Sequence, residues 1–148
     1  MQTTKLSAKE YLRELRRQLR NIDIEIKAKL EEREWVRSMA TRTGSSLQGD
    51  WVSGTKNITS KVENYVVKLV TLDEIIDRSV ANLATLKSEA LSKIDILEVS
   101  DHRTVLTLRY VKGMIWDAIS VYMHFSYRHT LRIHGAALTE FEKFYKST

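Results

Sequence analysis

Arg128 and Arg132 stand four residues apart, in a stretch without acidic side chains from Ser126 to Leu138. On a helix that spacing sets two guanidinium groups on one side. Each can donate two hydrogen bonds to guanine O6 and N7 or grip a phosphate, and a helix opening at Ser126 offers its free N–H groups to a phosphate oxygen. The competing reading is two surface arginines that merely solvate their helix. Other chemistry lacks residues. The chain contains no Cys, which excludes thiol catalysis, a disulfide framework and Cys-ligated zinc. His129 and His134 are five apart, missing the i, i+4 spacing of a helical metal pair, with no adjacent carboxylate to complete a ligand set. Gly113 and Gly135 are isolated, so neither a phosphate-cradling Gly-rich loop nor a nucleophile elbow is present. The paired acids Asp73-Glu74 and Glu31-Glu32 read as solvated helix faces. No catalytic residue, metal or cofactor is expected.

The segment from Trp116 to Ile133 has what a helix-turn-helix needs to position such a pair. Ile119 and Met123 form the inward pair of its first helix, and Ser120 is the small residue where the second helix crosses. His124 takes the turn position where Gly is commonest, since His enters the left-handed region more readily than branched residues do. Phe125 is the apolar plug after the turn, Ser126 caps the second helix, and Thr130 with Ile133 points inward. The opposite face then presents Ser126, Tyr127, Arg128, Leu131, Arg132 and Gly135. All but the glycine are candidate base contacts. Tyr110, Trp116, Tyr122 and Phe125 alternate with Ile119 and Met123, which predicts a packed core over a stacking platform for single strands.

The rest of the chain must carry this module. There is no Pro in 148 residues and only five Gly, which suits long helices. From Ser7 to Ala40, Leu12, Leu15, Leu19, Ile22, Ile26 and Leu30 recur at steps of three and four, one apolar helical stripe, opened by a Ser7–Glu10 capping box. Arg13, Arg16, Arg17 and Arg20 read as part of its solvated face. Thr41 to Thr59, with Gly44, Gly49 and Gly54, reads as a long loop, flexible or functional, with Trp51-Val52 pinning it to the helices. A second stripe runs from Ile58 to Leu97 at the coiled-coil period. The fold class expected is all-α: a long N-terminal antiparallel helical hairpin, coiled-coil-like, over residues 1–98, and a C-terminal helix-turn-helix module over 99–148. The hairpin's surplus apolar surface points to a homodimer; the alternative is a hairpin whose stripe the C-terminal module covers. In that module three or four short helices are expected, with Ser100 or Asp101 capping the first and Gly113 at a helix end.

The net charge of +5 is concentrated at the ends: residues 1–41 carry +3, 42–100 carry −1 and 101–148 carry +3. All four His lie in the last third, so an anionic partner is expected there. No stretch has the roughly 18 consecutive apolar residues of a membrane span, and residues 1–10 lack a secretory apolar region, which predicts a cytoplasmic protein without membrane contact.

Leu108-Arg109-Tyr110-Val111-Lys112-Gly113, the Ile119 pattern, Ser126 and Ala137-Leu138 together resemble region four of bacterial sigma factors. There an LRY-x-x-G helix leads into a helix-turn-helix ending in Ala-Leu. The Trp116-to-Ile119 spacing, with Arg132-Ile133-His134 and Ala137-Leu138, is similar more closely to phage regulators of the RinA/ArpU type, which act on late genes in Gram-positive bacteria. The resemblance is specific over about residues 95–145 and architectural over 1–95. At His129-Thr130 the sigma pattern usually has Thr-Val, so a more polar buried face is expected here. The resemblance implies sequence-directed binding to promoter DNA (double-stranded), control of transcription, and RNA polymerase as a further partner. Arg103, Arg109, Lys112, His129 and His134 are then the candidate phosphate contacts. Arg109 has a second reading, a pairing with Asp117 or Asp101 that holds the module together. A different class of function, an adaptor whose module binds a protein, is weighed against DNA by the basic, acid-free outward face. A membrane-surface helix over residues 5–20 is disfavoured by Glu10 and Glu14.

Overall fold

The computed structural model describes residues 6–45 and 55–147. Among these the secondary structure is helical, with no strand: α1 (Ala8–Ser45), α2 (Thr55–Ile94), α3 (Ser100–Leu106), α4 (Trp116–Met123) and α5 (Tyr127–Ser147). The fold is all-α, and its long helices, α1 with 38 residues and α2 with 40, form an antiparallel hairpin. The capping box holds as spaced. Ser7 N–H donates to Glu10 Oε2 at 2.9 Å and Glu10 N–H to Ser7 Oγ at 3.3 Å, satisfying donors at the helix start.

The loop expected over Thr41–Thr59 is shorter than its composition suggested. Residues 41–45 continue α1 and residues 55–59 already belong to α2. At the α1 end, Thr41 Oγ1 donates to the Arg37 carbonyl and Ser45 Oγ to the Thr41 carbonyl, both at 3.0 Å. Such i−4 bonds keep hydroxyl residues inside a helix rather than diverting the backbone into a turn. The expected pinning by Trp51-Val52 lies outside the described residues.

The chain folds as two compact units, one within Met1–Asn21 and Leu83–Thr148 and the other within Ile22–Asn82. The first unit therefore crosses the boundary expected at residue 98. Its core explains why: Leu12, Leu15 and Leu19 of α1 and Ala90 and Ile94 of α2 bury with Leu97, Val105, Leu106, Ile119, Ala137 and Phe141. The base of the hairpin is one wall of the C-terminal module. Aromatic packing reinforces the wall, with Tyr11 of α1 stacked on Tyr145 at 5.3 Å and on Phe141 at 6.4 Å between ring centres.

Two carboxylates of α5 complete it. Glu142 accepts the Ala8 N–H at 2.7 Å, and Glu140 accepts the Glu98 N–H at 2.8 Å while bonding the His102 ring. These bonds hold Glu140 below the usual carboxylate range, with His102 the leading cause. Ser100 and Asp101 do not cap α3, whose N-cap is Val99 with no side-chain cap bond. The segment takes its carboxylate from Glu140, far along the chain, and is braced by Arg103, whose guanidinium donates to the Leu97 and Glu98 carbonyls.

The second unit is a segment of hairpin. Ile26 and Val36 of α1 and Leu72 and Ile76 of α2 are buried in it. Arg33 donates to Asp73 at 3.0 Å, and Glu32 takes both Lys29 at 3.1 Å and Lys68 at 3.3 Å. Val66, Val67 and Val70, within little more than one turn of α2, are all at least half exposed, Val67 at 65%. None of the described helices is long and apolar enough to cross a membrane.

Phe141 is 2% exposed at the centre of the first unit's core. Phe141→Ala is expected to cost about 3–5 kcal/mol, from lost transfer energy plus the cavity left behind. Urea unfolding followed by circular dichroism checks this, and a cost below about 1 kcal/mol would contradict a shared core.

Candidate nucleic-acid interface

Thr107 to Val111 continues α3 as a wide π turn. Lys112 N–H reaches back five residues to the Thr107 carbonyl at 3.0 Å, and Met114 N–H bonds the Leu108 carbonyl at 3.0 Å. Leu108, Tyr110 and Val111 are all buried there. Gly113 then reverses the chain at φ +68°, a left-handed conformation in which a Cβ is strained even though open space surrounds it.

From this turn α4 begins, and Ser120, 7% exposed, fits the crossing by turning its Oγ back to the Trp116 carbonyl at 2.9 Å. α4 ends at His124, which adopts φ 58°, ψ 36°, the left-handed conformation expected at that position. The reversal is closed by two bonds, His124 N–H to Val121 O at 3.2 Å and Phe125 N–H to Ser120 O at 3.1 Å, which satisfy carbonyls that a helix end leaves free. Ser126 then caps α5, its Oγ accepting the His129 N–H at 3.2 Å. The Phe125 ring meets the edge of His129 at 4.8 Å.

Ile119 and Thr130 are fully buried, and Met123 and Ile133 pack half-buried around them. The polar buried face expected from His129-Thr130 resolves simply: Thr130 Oγ1 donates to the Ser126 carbonyl at 3.0 Å, so its hydroxyl is satisfied inside the first turn. His129 is turned outward. Ser126, Tyr127, Arg128, Leu131 and Arg132 are all exposed, Tyr127 at 49% and Leu131 at 38%. Among the described residues neither the Arg128 nor the Arg132 side chain forms an ion pair or hydrogen bond. The five candidate base contacts share one solvent-facing side of α5.

The phosphate candidates divide. Lys112 and His129 are exposed. Arg103, Arg109 and His134 are each engaged within the fold. Arg103 braces the α2–α3 connection as described. Arg109 donates to the Met114 carbonyl at 2.9 Å and lies 4.5 Å above the Trp116 ring. It thus holds the module together, as its second reading had it, but through a carbonyl and an aromatic face rather than Asp117 or Asp101. Burial, then the neighbouring Arg16, lower its pKa. His134 packs edge-on against Trp116 at 4.6 Å, with its Nε2 2.8 Å from the Tyr110 hydroxyl. Burial, followed by the charges of Arg109, Lys9 and Arg13, lowers its pKa from 6.5 to about 4, so at neutral pH it carries no charge to offer a phosphate. Burial raises the Tyr110 pKa, so the hydroxyl keeps its proton. The aromatic set is core for Tyr110, while Tyr122 is 60% exposed.

Lys9, Arg13 and Arg16 act electrostatically on this site from α1. Arg13, Arg17 and Arg20 keep the solvated face expected of them, with Arg16 half-buried; their steps with Lys9 are a local signal, but which element they flank leaves no trace in local spacing. Among the described residues no group of three His, Cys, Asp or Glu is placed to hold a metal ion.

Residues 42–142 match the model of a family described as a protein of unknown function, DUF1492. No curated protein and no solved structure shows a significant match.

The lowered His134 pKa has a consequence for stability. Between pH 6.5 and about 4 the unfolded chain takes up a proton at this residue that the folded chain refuses. The folded state is therefore at full strength above the unfolded value and weakens as pH falls through that window. Urea midpoints are expected to drop between about pH 7 and about pH 4.5, and His134→Gln, which keeps an amide beside the Tyr110 hydroxyl, to flatten the drop. An undiminished drop in the variant would move the effect to other groups.

Proposed function

The chain belongs to the DUF1492 family, and we propose that it is a sequence-specific double-stranded DNA-binding transcription regulator whose α4–turn–α5 segment is a helix-turn-helix. In this reading α5 enters the major groove, Arg128 and Arg132 fork onto guanine edges, and Ser126, Tyr127 and Leu131 complete the base contacts. Lys112 and His129 meet flanking phosphates. The observation that carries the reading is the outward face of α5: two arginines with no partner among the described residues, on a helix whose opposite side is locked by Thr130, Ala137 and Phe141. A rigid helix loses little conformational entropy when its side chains engage a base. The resemblance to RinA/ArpU regulators supports a phage or prophage protein acting on late or packaging genes in the cytoplasm of a bacterial host, with RNA polymerase as a further partner.

The reading includes a homodimer. Val66, Val67 and Val70 lie on α2 away from Leu72 and Ile76, and a second copy is the occupant that would bury them while presenting two α5 helices to two half-sites. Sedimentation is expected to give a dimer, and Val67→Glu with Val70→Glu a monomer of unchanged helical content. A wild-type chain that sediments as a monomer would remove the dimer from the reading.

A second reading rests on α4 and its N-cap, where Ile115, Val121 and Tyr122 are exposed at 62%, 76% and 60%. This apolar edge suits a protein surface, and an adaptor that binds RNA polymerase without reading DNA would use it. The two readings separate in one experiment. Selection from a pool of random duplexes is expected to return a preferred site, on which Arg128→Ala and Arg132→Ala each weaken binding by about 1–3 kcal/mol, roughly fivefold to 150-fold, with circular dichroism unchanged. Selection that returns no preferred site, with polymerase recovered on the protein after nuclease treatment, would instead establish the adaptor.

A further inference from the structure

Lys9, Arg13, Arg16 and Arg20 follow one another on α1 at steps of four, three and four, so they form one row along the helix. The acids of this stretch lie off that row and are engaged: Glu10 in the capping box, and Glu14 with Arg17 at 2.8 Å and Gln18 at 3.0 Å. Arg13 and Arg20 are exposed, as is Lys9. All four belong to the first unit, within the α1 segment that packs beside α5.

The row continues the solvent face of α5. A shallow groove joins the two helices, lined by Lys9 on one side and by Leu138, Thr139, Lys143 and Lys146 on the other. Glu142, the acid in that groove, is occupied by the Ala8 N–H and by Lys146 at 2.9 Å. The Ala8 N–H on Glu142 and the Tyr11 ring on Phe141 and Tyr145 fix the start of the row beside the C-terminal half of α5. Farther along, the charges of Arg13 and Arg16 reach the cluster of Arg109, Tyr110 and His134. Arg103, Arg109 and His134 are all engaged within the fold, which leaves Lys112 and His129 as the remaining flanking cations of the module and room for further phosphate contacts from another element.

We infer that the first turns of α1 are a second nucleic-acid-contacting element: the row of Lys9, Arg13, Arg16 and Arg20 grips the phosphate backbone flanking the groove that α5 enters. This rests on the DNA-binding reading and adds a role for the N-terminal helix. Phosphates carry no sequence information, so the row sets affinity and orientation while α5 sets specificity.

The test uses the full chain and a labelled random-sequence duplex, with binding followed by fluorescence anisotropy over a salt series. Lys9→Gln, Arg13→Gln and Arg20→Gln together remove three exposed charges without touching the core. The slope of log affinity against log salt is expected to become shallower by about 2 to 3. Arg13→Lys with Arg20→Lys, Lys9 kept, is expected to hold the wild-type slope. Lys27→Gln, Lys61→Gln and Arg78→Gln, which remove as many charges from the second unit, are also expected to leave it nearly unchanged. An unchanged slope in the row variant, or an equal loss in the second-unit variant, overturns the inference while the α5 reading stands. A wild-type chain that shows no salt-dependent binding to any duplex overturns both.

Discussion

Everything in the first unit leans on the buried side of α5. Thr130, Ala137 and Phe141 define that side, and against it lie α3, α4 and the base of the hairpin. A helix of 21 residues is long for a small module, and its length lets its start serve one neighbour set and its end another. The N-terminal part, through Thr130, seats α4 and fixes the turn. The C-terminal part, through Phe141 and Tyr145, seats α1. Because one helix does both, the outward row of Arg128 and Arg132 is fixed in register by contacts made more than two turns away.

The same helix settles unpaired backbone groups elsewhere. The Glu98 and Ala8 N–H groups meet carboxylates on α5 rather than local side chains. Buried or half-buried backbone donors need such partners, and supplying them from a distant helix ties the chain ends of this unit together. Arg103 works in the opposite sense, giving its donors to two carbonyls of the connection between α2 and α3.

Patterns of local spacing were legible in the sequence. The leucine stripe of α1, the Ser7–Glu10 box, the left-handed His124, the Ser126 cap and the inward pairs Ile119–Met123 and Thr130–Ile133 each depend on residues within a few positions of one another, where helix geometry alone dictates which side chains share a face. Partners across the fold were not legible. Nothing in Arg109 or His134 announces a Trp116 face or a Tyr110 hydroxyl, and a cation drawn into a half-buried cluster looks, in sequence, like a cation left for solvent. The helix ends at Ser45 and Thr55 were misjudged for a related reason. Serine and threonine favour turns on average, but at the α1 end their hydroxyls return to the preceding turn and sustain the helix.

The π turn at Thr107–Val111 bears on how this chain should be compared with others. A π turn is an α-helix that has accommodated one surplus residue, with the ladder stretched from four residues to five around it. Chains that never received the surplus residue would build the same module with α3 running straight into the Gly113 reversal. Aligned residue for residue in step over α3, they would run one position out of phase from the π turn onward, through α4 and α5. A one-residue gap placed between Thr107 and Val111 restores the correspondence, so kinship in this region is better judged with that gap allowed than from ungapped similarity of the Leu-Arg-Tyr signature.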